Sequence, residues 1–280
     1  MVDYTGLRFG VVAGQRRPFQ ELVQRWQELE QLGFHSAWVT DHFITGNEPS
    51  DDNEPFLEAW TVIAGLAMAT ERIRFGVMVN GNTYRNPALL AKEAVTVDHI
   101  SNGRVDLGIG AGWWEREHDA YGYPFPGKRE LVDRFQEALE IIDSLQTQER
   151  TTYKGQYYWM NDAPFEPKPI QQPRIPMLIG SFGPRMLGLT AKHADIWNTR
   201  GSVDEAADRS RLLDEKCKEI GRDRGEIRRS IWPHQHPWES LDNVHAVIAS
   251  YREHGFNDFI FSWPPDENLD VMREFAKTLA

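Results

Sequence analysis

Along the 280 residues, short apolar runs alternate with longer amphipathic stretches eight times, and this alternation leaves few folds open. The runs at 7–12, 35–39, 73–79, 105–109, 177–179, 194–197, 227–232 and 258–261 are too short for helices and read as buried strands. The stretches between them carry helical spacing. In the first, Phe19, Leu22, Val23, Trp26, Leu29 and Leu32 fall on one face, and Gly33 stops the helix. In the third, Asn86-Pro87 supplies a cap and a proline at the first turn of a helix that runs to about Ile100. Strands separated by helices cannot pair as hairpins, so they require crossovers and a parallel sheet with helices packed on it. Eight such units without a break in composition predict one α/β domain over 1–280, a single (β/α)8 TIM-type barrel. An open doubly wound sheet is the structural alternative.

After the fourth strand the regularity slackens. A long amphipathic helix over 129–145 is followed by 151–173, which reads as a hairpin turning at Lys154-Gly155 and a proline-rich crossing. Its apolar content is too small for a core of its own, so it is an insertion in the barrel rather than a second domain. The formal net charge of -11 argues against nonspecific binding to nucleic acid or to an anionic membrane. The single cysteine, Cys217, lies in a charged helical pattern and reads as a buried thiol, which rules out a disulfide framework within the chain. The chain shows neither a secretory leader nor a run of about 18 apolar residues, so a cytoplasmic protein is expected.

In barrels of this kind chemistry collects at the C-terminal strand ends. Residues entering the strands are turn formers or lone charges, as at Gly33-Phe34 and Gly255-Phe256, whereas the exits are rich in reactive groups. Asp41-His42 leaves the second strand and is the best candidate for proton chemistry, because an imidazole titrates near neutrality. Asn80 leaves the third. Gly110-Ala111-Gly112 leaves the fourth, where missing side chains let backbone approach a ligand, or serve only a tight turn. Gly180-Ser181-Phe182-Gly183 runs into Pro184, and free N–H groups at such a helix start suit a phosphate; a plain strand-to-helix turn has the same pattern. Arg185 and Lys168 are candidate positive charges beside it. His234 and His236 with His42 invite a metal reading, but Gly180-Ser181 and Asn198-Thr199 are poor ligands for a catalytic transition metal, so no metal is expected.

Several stretches resemble the luciferase-like monooxygenase superfamily, and specifically its branch of probable coenzyme F420-dependent oxidoreductases. They are Gly33-Phe34-His35-Ser36-Ala37-Trp38-Val39-Thr40-Asp41-His42-Phe43, Leu57-Glu58-Ala59-Trp60-Thr61, Thr83-Tyr84-Arg85-Asn86-Pro87-Ala88-Leu89-Leu90-Ala91-Lys92, residues 100–113, Pro167-Lys168-Pro169-Ile170-Gln171 and Ala194-Asp195-Ile196-Trp197-Asn198. The resemblance implies a deazaflavin, coenzyme F420, or alternatively flavin mononucleotide (FMN), bound at the strand ends. The ring would lie near His42, a strand-three bulge at Met78, Val79 and Asn80, and Gly110, Ala111 and Gly112; the phosphate would meet Gly180, Ser181, Phe182 and Gly183. In relatives that bulge carries a cis peptide. His42 would donate or relay a proton, oriented by Asp41, while Trp113, Trp114 and Trp263 wall the pocket of a small-molecule substrate. Sugar-phosphate dehydrogenase relatives place an acid where this chain has Trp113, which leaves Glu115 as the nearby candidate. A homodimer is a possible assembly. The rival readings are an FMN-dependent monooxygenase, a metal-dependent hydrolase and a barrel that binds flavin without catalysis.

Overall fold

A computed structural model describes residues 4–45, 53–233 and 236–279. In chain order its elements are β1 (Arg8–Val12), α1 (Phe19–Gln31), β2 (Ser36–Val39), α2 (Ala59–Ala69), β3 (Arg74–Val77), β4 (Asn80–Gly81), α3 (Pro87–Ser101) and β5 (Val105–Gly110). There follow α4 (Glu115–Tyr121), α5 (Lys128–Thr147), β6 (Arg150–Lys154), β7 (Trp159–Pro164), β8 (Met177–Gly180), α6 (Pro184–His193), β9 (Ile196–Gly201) and α7 (Val203–Glu219). The chain closes with β10 (Arg228–Pro233), α8 (Leu241–Arg252), β11 (Asp258–Ser262) and α9 (Leu269–Ala276). The sheet order is β3-β2-β1-β11-β10-β9-β8-β5, and β3 pairs with β5 to close it. Every pair in this ring is parallel, as at Arg8↔Asp258 and Phe75↔Val105, so the expected TIM-type (β/α)8 barrel is what forms.

Strand parity divides the core in two. Val12, Trp38, Met78, Leu178, Ile196 and Ile260 fill the barrel interior, whereas their neighbours Val11, Ala37, Val39, Phe259 and Phe261 pack outward against the helices. Trp38 fits inside because the two strands flanking β2 carry glycine. A Cβ on Gly76 would stand 2.7 Å from the Trp38 ring, and one on Gly10 would stand 3.1 Å from its Nε1.

The third stave is broken. β3 ends at Val77, the Met78–Val79 peptide is cis, and β4 resumes beside β5 with Asn80 opposite Ile109. The cap read at Asn86 is present, its side chain accepting from the Ala88 N–H at 2.9 Å. Between α5 and β8 the chain makes the antiparallel hairpin β6–β7, with Lys154 opposite Trp159 and the Gly155 N–H donating to the Tyr158 carbonyl at 2.9 Å. The seven-residue helix α4 falls in the stretch after the fourth strand where the regular alternation slackens. No helix among the described residues is long and apolar enough to cross a membrane.

Candidate active site

β2 stops at Val39, and the two residues expected to act together part company. The Asp41 carboxylate lies 2.9 and 2.8 Å from Arg85 Nη1 and accepts from the Gly81 N–H at 2.9 Å. Arg85 also reaches Glu58 at 2.6 Å and Glu93 at 3.2 Å. Asp41 therefore ties the second strand exit to β4 and α3, and it does not orient His42, because its oxygens are occupied elsewhere.

His42 is held instead by Glu117, a residue of α4. His42 Nδ1 lies 2.9 Å from Glu117 Oε2, and the Glu117 side chain is fully buried. The same carboxylate accepts from the Phe43 N–H at 2.5 Å, the Ile44 N–H at 3.2 Å and the Tyr84 hydroxyl. Burial alone would raise the Glu117 pKa. The hydrogen bonds from His42, Tyr84 and Phe43 outweigh it and hold the carboxyl below its ordinary value of 4.5, so Glu117 is an anion. Burial and the Glu117 charge raise the Tyr84 hydroxyl, which stays a donor. An anionic acceptor requires a proton on His42 Nδ1, which leaves Nε2 as the ring nitrogen open to a reacting partner. Tyr84 also stacks on His118 at 4.6 Å, and His118 bonds the Trp114 carbonyl at 2.7 Å and Thr83 Oγ1 at 2.6 Å, fixing α4 on the barrel.

Trp113 and Trp114 lie parallel, 5.5 Å apart, and both stand edge-on to His42, at 5.8 and 5.1 Å between ring centres. Trp113 is 67% exposed and presents an apolar face beside the imidazole. Trp263 does not join them. Ser262 faces the barrel interior and accepts from Trp232 Nε1 at 3.0 Å, so the next side chain turns outward, where Arg25 of α1 covers the Trp263 ring at 4.6 Å. Glu115 is exposed in the first turn of α4, and the acid that meets His42 is Glu117, two positions on.

The glycine exits have a more local use than ligand approach. A Cβ on Gly110 would stand 2.9 Å from Val79 Cγ2 and one on Gly180 3.1 Å from the same atom, so these glycines make room for the side chain of the bulge. Gly112 has φ +93°, and its missing Cβ leaves space for Thr83. Met78 is buried inside the barrel and Ala111 is half-buried. Asn80 is fully buried and used, accepting from Trp60 Nε1 at 2.7 Å and donating to the Gly108 carbonyl at 2.6 Å. Its side chain is a brace between α2 and β5.

Ser181 is likewise committed. Its hydroxyl meets Thr190 at 2.8 Å and its N–H donates to the Asn198 carbonyl at 3.1 Å, so neither is left for a phosphate. Gly183 caps α6 without a side-chain acceptor, and a Cβ there would meet nothing within 4 Å. Phe182 is exposed, with the Arg209 guanidinium 5.0 Å over its ring. Arg185 pairs with Asp133, and Lys168 donates to the Leu145 carbonyl at the end of α5, so neither expected cation stands at this loop. His234 lies outside the described residues.

The luciferase-like monooxygenase family model matches residues 4–269. The chain belongs to that family. It is 30% identical over 253 residues to an F420-dependent glucose-6-phosphate dehydrogenase of Intrasporangium calvum, covering 85% of this chain and 74% of that one. A protein of the same name from Microbacterium testaceum is 31% identical, covering 96% and 88%. An F420-dependent secondary alcohol dehydrogenase, solved with an F420-acetone adduct, superposes with a TM-score of 0.85 at 19% identity, over 98% of this chain and 99% of that one. This last likeness speaks to the barrel alone.

Within this luciferase-like member, the sequence signal for Glu117 was thin. It sits in Glu115-Arg116-Glu117-His118-Asp119, a run of charge that reads as solvated surface. The usable hint was the aromatic Trp113-Trp114 just before it and Tyr121-Gly122-Tyr123 just after, which brackets a short element against an apolar neighbour.

Proposed function

We propose that the chain is an oxidoreductase that moves a hydride between reduced coenzyme F420 and a small organic substrate, with His42 as proton donor or relay. The reading rests on near full-length kinship with enzymes named as F420-dependent dehydrogenases. When bound, the deazaflavin supplies the hydride chemistry, and the protein supplies position, electrostatics and exclusion of water.

The residues present fit such a group. The α6 start has no side-chain cap and is open at Gly183, so the N–H groups of its first turn suit an anionic tail. Phe182 and Gly183 would hold that tail, and Ser181 would not. The bulge at Val79, with Gly110 and Gly180 packed around it, brings the exits of the third, fourth and fifth staves to one place, where they would back the ring.

His42 performs the protein's share of the chemistry. Glu117 holds Nδ1–H, stabilises the imidazolium when Nε2 takes a proton, and returns the ring to the same orientation when the proton leaves. Trp113 and Trp114 stand edge-on to the imidazole and supply apolar surface beside it.

The experiment is a screen of small alcohols and ketones, following F420 absorbance, with the wild type and His42→Ala. The expected result is turnover by the wild type and a loss of about 10²-fold or more in kcat for the variant, with F420 binding kept. Equal turnover by the two proteins removes His42 from the reaction.

A further inference from the structure

The end of the barrel opposite His42 carries a charged floor that no step of the proposed reaction uses. Arg8, Arg74, Asp106, Arg228 and Asp258 open or sit early in their strands with the parity that points them inward. Arg74 is satisfied by Asp106, its Nε donating to Oδ2 at 3.1 Å and its Nη2 to Oδ1 at 2.5 Å. Arg228 stands 3.6 Å from Asp258. Arg8 is left over: among the described residues its guanidinium has no carboxylate within ion-pair distance, and its contact is His35 Nε2 at 3.4 Å.

A cleft of about 680 Å³ opens over this floor, and Arg8, His35, Arg72 and Arg74 line it. The acid in its wall, Glu30, is spent on the backbone: its carboxylate accepts from the N–H groups of Glu71 at 3.0 Å, Arg72 at 2.5 Å and Ile73 at 2.9 Å. Among the described residues lining it, the cleft therefore shows guanidinium groups and no carboxylate other than Glu30. Burial and then Arg8, Arg228 and Arg74 push His35 down to about 4, which fits a site with excess positive charge. Burial and then Arg228 lower Arg8, and Asp258 and Asp106 only partly offset them.

We infer that this cleft binds a small, multiply charged anion, a phosphate compound or a polycarboxylate, gripped by Arg8 and Arg72. A half-buried arginine with no carboxylate at ion-pair distance among the described residues gains a charge-assisted partner from such a ligand, and the exposed Arg72 at the rim adds a second contact. The site lies at the N-terminal strand ends, the face that in barrels serves stability rather than chemistry, so the ligand would act as a stabiliser or regulator and not as substrate.

The test is calorimetric titration of the full chain with inorganic pyrophosphate and with citrate, each at constant ionic strength, for the wild type, Arg8→Gln and Arg72→Gln. Saturable binding of either probe that weakens about tenfold or more in each variant, with F420 affinity unchanged, supports the site. Binding of pyrophosphate alone marks a phosphate ligand, and binding of citrate as well marks charge as the criterion. Should Arg8→Gln fail to fold, the exposed Arg72→Gln still decides the matter. No saturable binding of either probe, or binding undiminished by the folded variants, overturns the inference.

Discussion

Glu117 determines what His42 can do. Four donors converge on its buried carboxylate, and one of them is His42, the residue proposed to move the proton. Truncation by Glu117→Ala leaves buried donors without an acceptor and should cost about 3 kcal/mol, read from denaturant midpoints at unchanged m-value. The pH dependence has a definite sign. Because the folded pKa is depressed below 4.5, the stabilisation from Glu117 is fully present above about that pH and is lost as pH falls through the lower folded value. The gap between wild type and Glu117→Ala should therefore narrow in acid; a gap that stays constant below that point contradicts an ionised Glu117. The variant should also lower kcat more than it weakens F420 binding, since the imidazole loses its fixed tautomer. His42 itself was legible in the sequence from its place at a strand exit. Its partner was not, because adjacency favoured Asp41, and only the fold shows that Asp41 is committed to Arg85.

At the scale of elements, the eight staves were readable because each is a short apolar run bounded by turn formers, and the observed strands begin and end within a few residues of those runs. Two elements were not. The helix α4 is too short to show a period, and β4 is a two-residue continuation of the third stave past the Met78–Val79 bond. The glycines at the exits were seen, but not that two of them, Gly110 and Gly180, make room for the Val79 side chain. This gives an ordered series. Gly108→Ala would drive its Cβ to 2.0 Å from the Val77 carbonyl, backbone that cannot yield, and should lose about 3 kcal/mol or fail to fold. Gly110→Ala meets a side chain at 2.9 Å and should cost about 1–2 kcal/mol, much of it restored by adding Val79→Ala. Thermal melts of the three proteins check the order, and equal losses at the two glycines would show that Val79 does not set the constraint.

For the whole molecule, the barrel separates two polar regions by an apolar interior of Trp38, Met78, Leu178, Ile196 and Ile260. The lower region holds a charge at a cost. Burial, the largest influence, pushes Asp258 up to about 6, above its ordinary 3.8. A raised acid makes the fold lose stability as pH climbs from about 4 to about 6. Asp258→Asn removes that penalty, so relative to wild type the variant should gain on the order of 2 kcal/mol between pH 4 and pH 8, read as a difference in unfolding free energy at each pH. A difference that is flat across that range would mean that Asp258 is ionised throughout. None of this floor was legible in the sequence, where Arg8, Arg74 and Arg228 fall inside runs read only as buried strands; inward parity became visible only once the strands had a register.

Deazaflavin binding at the upper face is tested most directly by titration of the purified chain with F420 and with FMN, each followed by its own fluorescence. Saturable F420 binding at least about tenfold tighter than FMN binding is expected, a difference of about 1.4 kcal/mol. Tighter binding of FMN, or no saturable binding of F420, would contradict it.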